Sequence, residues 1–269
     1  AIVEWGIERT LKRINGMFSF ALWDRSDREL YLARDRMGQK PLYYGYSGGV
    51  FLFGSELKSL EAHPAFDAEI SRGALALLLR HGYIPTPHSI YEGIHKLSPG
   101  TLLTLTDSAL KNGEIPVPVS YWLATEAALA GISDPFSGSE EEAADELESL
   151  LRDAVDLCMI ADVPVGAFLS GGVDSSAVVA LMQSLRTDPV KTFSIGFSEE
   201  HYNEAEQAAA VARHIGTDHT ELYVTERDVL DLVPSLPRLY DEPYADSSQL
   251  PTCIVSRLAR EKVTVSLSG

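Results

Sequence analysis

The chain carries two rhythms of apolar and polar residues. From Ala1 to Thr106, short apolar or alternating runs are broken by tight polar turns: "MFSFALWD" and "ELYLARD" flank "RSDR", and "KPLYYGY" and "VFLFGSE" flank Ser47-Gly48-Gly49. Such runs with such turns predict β-hairpins. A helical period in "RGALALLLRHG" and a further strand in "GTLLTLT" complete an antiparallel, α+β pattern. From Asp107 to Gly138 the periodicity fades and Gly, Pro and Ser accumulate, which places an interdomain connection there.

Beyond Gly138 the period alternates. Ser139 with Glu142 forms a capping-box pattern, opening a helix whose apolar face reads Ala143, Leu147, Leu150, Ala154 and Cys158. Then "VGAFL" predicts a strand, "SAVVALMQSL" a helix and "VKTFSIGF" a strand. "NEAEQAAAVARHIG" predicts a helix with Asn203 as N-cap and Gly216 just past its end. "HTELYVT", "LPTCIVSRLARE" and "VTVSL" continue as strand, helix and strand. Nearly continuous apolar strands alternating with helices imply a parallel sheet covered on both faces, an α/β domain. The expected organisation is one domain over 1–106, a connection over 107–138 and a second domain over 139–269.

The 269 residues leave room for two modest cores, and 45% apolar with 23% charged residues is the balance of an ordinary globular protein. A net charge of −17 argues against a nucleic-acid or membrane-surface partner, although one local site can still hold an anion. No apolar run reaches the roughly 18 residues of a membrane span, and no leader pattern is visible, so a cytoplasmic protein is expected. Cys158 and Cys253 lack disulfide or metal-ligand spacing and are expected as buried free thiols. A chain that begins without Met and stops at "VTVSLSG" is expected to be cut from a longer one.

The candidate chemistry sits in "VPVGAFLSGGVDSSAVVALM", a strand, a loop of small residues and a helix. Ligands of open α/β sheets bind beyond the carboxyl ends of the strands. There the first-turn amides and the helix dipole favour an anion. Gly171 and Gly172 let the backbone approach phosphate oxygens, and Ser170, Ser175 and Ser176 add donors. Asp174 would repel bare phosphate and is better used on a bridging Mg²⁺. No lysine follows the glycines, which argues against a Walker loop and cleavage at the γ-phosphate. Phe168 stands where a nucleophile elbow needs glycine, which argues against a serine hydrolase. A plain strand-to-helix turn with capping serines stays open beside the phosphate nest.

"LSGGVDSS" resembles the pyrophosphate loop of the N-type ATP pyrophosphatases. In order, "VPVGAFLSGGVDSSAVVALM", "TFSIGF", "DEPYADSSQLPT" and "VTVSLSG" are similar to glutamine-hydrolysing asparagine synthetases. "INGMFSFALWD", "ARDRMGQKPLYY" and "FGSELKSL" are similar to the later part of a class II glutamine amidotransferase domain. The resemblance implies an incomplete N-terminal-nucleophile α+β fold followed by an incomplete doubly wound α/β fold of ATP pyrophosphatase type. It implies glutamine hydrolysis in one domain and, in the other, ATP-dependent adenylation of the aspartate β-carboxylate and its amidation. ATP and Mg²⁺ are the implied cofactors; glutamine, aspartate and ATP are the implied partners, and a homodimer is left open.

By the same resemblance Leu169 contacts ATP beside the loop, and Ser170, Gly171, Gly172, Asp174 and Ser175 form the pyrophosphate site, with Asp174 also the metal ligand. Ile195 lines the nucleotide pocket, Ser268 and Gly269 open a second loop at it, and Asp35 holds the glutamine α-amino group. Simpler readings stand beside these. Ile195 can be a core strand residue, Asp35 a satisfied turn aspartate, Asp246, Ser247 and Ser248 a helix cap, Glu140 to Glu142 a solvated helix start, and Tyr43, Tyr44 and Tyr46 packing residues. The family nucleophile is an N-terminal cysteine, whereas position 1 is Ala1, so no catalytic residue is assigned. The chain as written is expected to have neither glutaminase nor synthetase activity. Two alternatives remain: a related two-domain ligase forming an amide or β-lactam on another carboxylate, and a non-catalytic nucleotide-binding protein.

Overall fold

The computed structural model describes residues 1–197 and 205–269; Asn203, expected as a helix N-cap, lies outside them. Two compact units form, one from 1–135 with 237–245 and one from 136–236 with 246–269.

In the first unit two short helices, α1 (Ile2–Trp5) and α2 (Ile7–Arg13), precede the hairpin β1 (Ser19–Asp24) and β2 (Glu29–Arg34). A second hairpin, β3 (Tyr43–Ser47) and β4 (Val50–Gly54), turns at Gly48-Gly49. Then follow α3 (Leu57–Glu61), α4 (Arg72–His81), β5 (Ile94–Lys96), β6 (Thr101–Thr106), α5 (Asp107–Asn112), β7 (Val119–Ser120) and α6 (Ala124–Ser133). The strands make two antiparallel sheets, β1-β2-β6-β7 and β4-β3-β5. Leu30, Leu32, Leu103 and Leu105 from one sheet meet Leu42 and Tyr44 from beside and within the other. The outer face of the first sheet buries Ala33 and Leu102 against Leu11 of α2. The outer face of the second buries Tyr43 against Leu57 and Leu60 of α3 and Ala74 of α4. The unit is therefore layered helix, sheet, sheet, helix. The strand alternation, one face to each apolar layer, requires two covers per sheet.

Residues 107–135, placed by the sequence in a connection, are organised: β7 pairs with β6 through Thr101↔Ser120 and Leu102↔Val119, and α5 and α6 flank it. A two-residue strand is too short to show a period, which is why the pattern fades there.

The second unit opens with α7 (Glu140–Cys158), followed by β8 (Val165–Phe168), α8 (Val173–Ser184), β9 (Lys191–Phe197), α9 (Ala205–Ile215), β10 (Asp218–Val224) and α10 (Glu226–Leu232). After the single turn α11 (Leu236–Leu239), most of which belongs to the first unit, the second unit resumes with α12 (Gln249–Arg260) and β11 (Val265–Leu267). All four strands are parallel, in the order β10-β9-β8-β11. Ala167 and Leu169 face α7, α8 and α9, whereas Phe168 and Phe193 face Val255, Leu258 and Ala259 of α12. Helices thus cover both faces. Ser139 and Glu142 form the reciprocal capping box, and accepting these bonds holds the Glu142 carboxyl below its usual value.

The buried face of α7 differs from the expected one. Val155 and Met159 are buried, while Leu147 and Leu150 are 57% and 62% exposed, and Ala143, Ala154 and Cys158 are exposed with them. Helical periodicity marks an apolar stripe but not which neighbour covers it; here α8 packs along the Val155 side. Cys158 is accordingly an exposed thiol and Cys253 a partly buried one, not two buried ones.

Candidate functional site

The strand order 3-2-1-4 in chain terms puts a reversal of direction between β8 and β11, and the loops leaving both strands emerge there. Leu169 is buried and donates its amide to Phe193 O at 2.9 Å, so the sheet ends one residue before the loop. Ser170 and Ser175 then close the loop on itself. Their hydroxyl oxygens lie 2.9 Å apart, the Ser170 amide donates to Ser175 Oγ at 3.3 Å, and Ser175 Oγ donates to Gly172 O at 3.3 Å. Ser176 Oγ also donates to Gly172 O, at 2.6 Å.

Gly172 is the N-cap of α8 and offers no side chain to it. The first-turn amides of Val173, Asp174 and Ser175 therefore have no intrahelical acceptor, and the dipole adds partial positive charge in the same place. Asp174 is exposed on that turn. Gly171 has φ +82°, and a Cβ on it would stand 2.8 Å from Ala208 N and 3.0 Å from Gln207 C, in the backbone of α9. Here glycine serves both the dihedral and the close approach.

The second loop reaches the same place. Gly269 lies against the first turn of α8, where an added Cβ would meet the Asp174 carbonyl carbon and Ser175 Cα at 2.6 Å. Ser268 and Gly269 are exposed. Ile195, half-buried in β9 opposite Leu222, packs with Val224, Leu232 and Ile254. The structure thus brings Leu169 to Ser175, Ser268 and Gly269 together, while the Ile195 side chain belongs to a hydrophobic cluster.

The other face of β9 carries a feature missed in the sequence. His219 of β10 bonds Thr192 Oγ1 through Nδ1 at 2.8 Å and Ser194 Oγ through Nε2 at 3.1 Å. Burial pulls the imidazole pKa below its usual value, against a smaller opposing pull from Glu221. Neighbouring strands in parallel register supply the contact, Thr192↔His219, and no spacing rule along one segment reveals it.

Asp35 does not face an open site. It is 1% exposed, and its carboxylate accepts from the amides of Phe18 at 3.3 Å, Gln39 at 2.9 Å and Lys40 at 2.9 Å. These three main-chain donors give Asp35 a loop-holding role. Asp246 Oδ1 accepts from Ser248 N at 2.8 Å just ahead of α12, in keeping with a helix start. Tyr43 and Tyr44 are buried in the sheet layers, and Tyr46 donates to Leu110 O at 3.2 Å.

Residues 146–269 match the asparagine synthase family model, and residues 1–122 match that of the glutamine amidotransferase domain. A putative glutamine-hydrolysing asparagine synthetase 2 of Methanocaldococcus jannaschii is 40% identical over 263 residues, covering 96% of this chain and 48% of the relative. A putative glutamine-hydrolysing asparagine synthetase of Mycobacterium bovis is 37% identical over 98% of this chain and 40% of its own length. The chain belongs to the asparagine synthetase family. Glutamine-hydrolysing asparagine synthetase 1 of Bacillus subtilis is similar too, 32% identical over 97% of this chain and 39% of the relative. The chain therefore spans between about two-fifths and one half of the length of these synthetases. No helix among the described residues is long and apolar enough to cross a membrane.

Within the region matched by the synthase family, residues 237–245 pack as part of the first unit. Glu242 pairs with Lys96 and accepts from Ile90 N at 2.9 Å, while Lys96 Nζ also donates to Ile84 O at 2.7 Å. Asp241 accepts from Leu57 N at 2.7 Å and lies 3.2 Å from Lys58 Nζ. A cavity of about 330 Å³ opens beside these pairs, lined also by Tyr43 and Tyr83. Burial, then Glu242 and Asp241, push the Tyr43 phenol pKa upward, so it stays protonated. The "DEP" run was legible as part of the family block, but its partners lie some 150 residues earlier, as the Ile90–Glu242 separation of 152 shows.

Proposed function

We propose that the protein is a glutamine-dependent asparagine synthetase, and that the switch-point loops of the second unit hold the pyrophosphate of ATP while the aspartate β-carboxylate attacks the α-phosphate. The observation that carries this reading is the convergence of the Ser170–Ser175 loop and Gly269 on the uncapped first turn of α8. Unpaired amides at a helix start, glycines that leave room and two serines already oriented suit a departing pyrophosphate. A carboxylate is a poor electrophile, and adenylation gives it a leaving group that ammonia can displace. The layered α+β unit is read as an N-terminal-nucleophile amidotransferase fold that supplies the ammonia. The parallel unit is read as a doubly wound ATP pyrophosphatase fold.

Among the described residues no group of three or more His, Cys, Asp or Glu side chains forms a metal cluster. Magnesium typically takes one or two carboxylates and completes its shell with phosphate oxygens and water. Asp174, exposed at the first turn of α8, is the carboxylate in position, and the ion would neutralise charge on the leaving pyrophosphate. The protein's own groups orient the phosphates through the α8 amides, while the Ser170 and Ser175 hydroxyls brace the loop through their mutual bond and the bond to Gly172 O.

The test is ATP–pyrophosphate exchange by the full gene product, with aspartate and with other acids, beside an Asp174→Ala control. Exchange that requires aspartate and disappears in the control is expected. Exchange with a different acid alone would overturn the asparagine assignment, and no exchange with any acid would overturn the adenylation chemistry.

A further inference from the structure

The opening turn of α9 packs against Gly171 of the proposed phosphate loop. A Cβ placed on Gly171 would meet Gln207 Cγ at 2.9 Å, in addition to the Gln207 and Ala208 backbone. Gln207 is exposed, and its carboxamide makes no hydrogen bond among the described residues. With Cγ against Gly171, the exposed side chain is long enough for its carboxamide to reach an anion held at the loop. Its neighbour Glu206 lines a different cavity, with Arg213, His219 and Tyr223.

We propose that Gln207 is a specificity-determining residue of the phosphate site, its carboxamide N–H donating to a terminal oxyanion of the bound polyphosphate and so favouring ATP over nucleotides that end at the α-phosphate. This rests on the pyrophosphate-loop reading of the second unit. A neutral donor suits the position: it adds a directed hydrogen bond without retaining pyrophosphate as strongly as a lysine ammonium would, so the product can leave.

The test is equilibrium binding of Mg·ATP and of AMP to the protein and to Gln207→Ala and Gln207→Glu, at two salt concentrations. Removing one such bond is expected to weaken Mg·ATP by about two- to ten-fold and leave AMP unchanged. Gln207→Glu keeps the size of the side chain and is expected to weaken Mg·ATP further, with the excess loss relieved by salt. Equal losses for ATP and AMP would make Gln207 a packing residue and overturn the proposal, as would unchanged ATP binding in both variants. If the unaltered protein binds AMP but shows no preference for ATP, the pyrophosphate reading falls with it. If the unaltered protein prefers ATP and the variants prefer it to the same degree, only the role of Gln207 falls.

Discussion

Arg34 and Asp35, adjacent in the sequence, close one loop from opposite sides. The Arg34 guanidinium donates to the carbonyls of Gly38, Lys40 and Leu97 at 2.6–2.9 Å, while the Asp35 carboxylate accepts from the amides of Gln39 and Lys40. At the end of β2 successive side chains point to opposite faces, so two neighbours can grip both the donors and the acceptors of residues 38–40.

Asp35→Ala is expected to destabilise the first unit by on the order of 3 kcal/mol, because three part-buried amides lose the charged acceptor that the buried carboxylate supplies. Asp35→Asn, which keeps one acceptor oxygen, should lose less. Chemical denaturation of the two variants checks this. Stability nearly unchanged in both variants would overturn the loop-holding role.

The two loop glycines should separate stability from binding. Gly171→Ala adds left-handed strain of about 1 kcal/mol and a contact with the α9 backbone that cannot be relieved by a rotamer. It is expected to lower the unfolding midpoint of the second unit. A Cβ on Gly172, with φ −69°, meets only Ser170 Oγ at 3.4 Å, so Gly172→Ala should fold normally and weaken Mg·ATP. Thermal scans with and without nucleotide distinguish the two.

His219 makes the second unit sensitive to acid. Its pKa is lowered by folding, so the folded state binds fewer protons than the unfolded state just below the ordinary value of 6.5. The stabilisation is fully present above pH 6.5 and is lost as pH falls toward the depressed folded value. His219→Gln, which retains a donor and an acceptor, should flatten the slope between pH 7 and about pH 5. Unfolding midpoints measured across that range decide it, and an unchanged slope would assign the acid sensitivity elsewhere.

Lys96 and Glu242 are 16% and 10% exposed, so removing one charge leaves the other buried. Lys96→Met alone is expected to cost about 3 kcal/mol. Adding Glu242→Gln, which keeps an acceptor for Ile90 N, should recover part of that loss although it adds a second substitution. A double variant as unstable as the sum of the singles would show that the pair is not coupled.

Much of the fold was legible because periodicity is local. The hairpin around Gly48-Gly49, the capping box of Ser139 and Glu142, and the strand, loop and helix at Ser170 to Ser175 each depend on residues within a few positions of one another. Those segments also carry the resemblance that led to the phosphate loop. What covers an apolar stripe is not local: the α7 stripe through Leu147 and Leu150 is periodic yet exposed, while Val155 takes the buried side. The same limit governed Asp35, whose three donors come from two loops, and Glu242, whose partner Lys96 follows from the packing of residues 237–245 in the first unit. By itself the sequence determined most of the elements and the residues of the proposed phosphate loop, since backbone propensity and glycine sterics act over a few residues. Only the tertiary structure decided which polar groups were already satisfied, because hydrogen-bond capacity is used up by neighbours brought in from far along the chain.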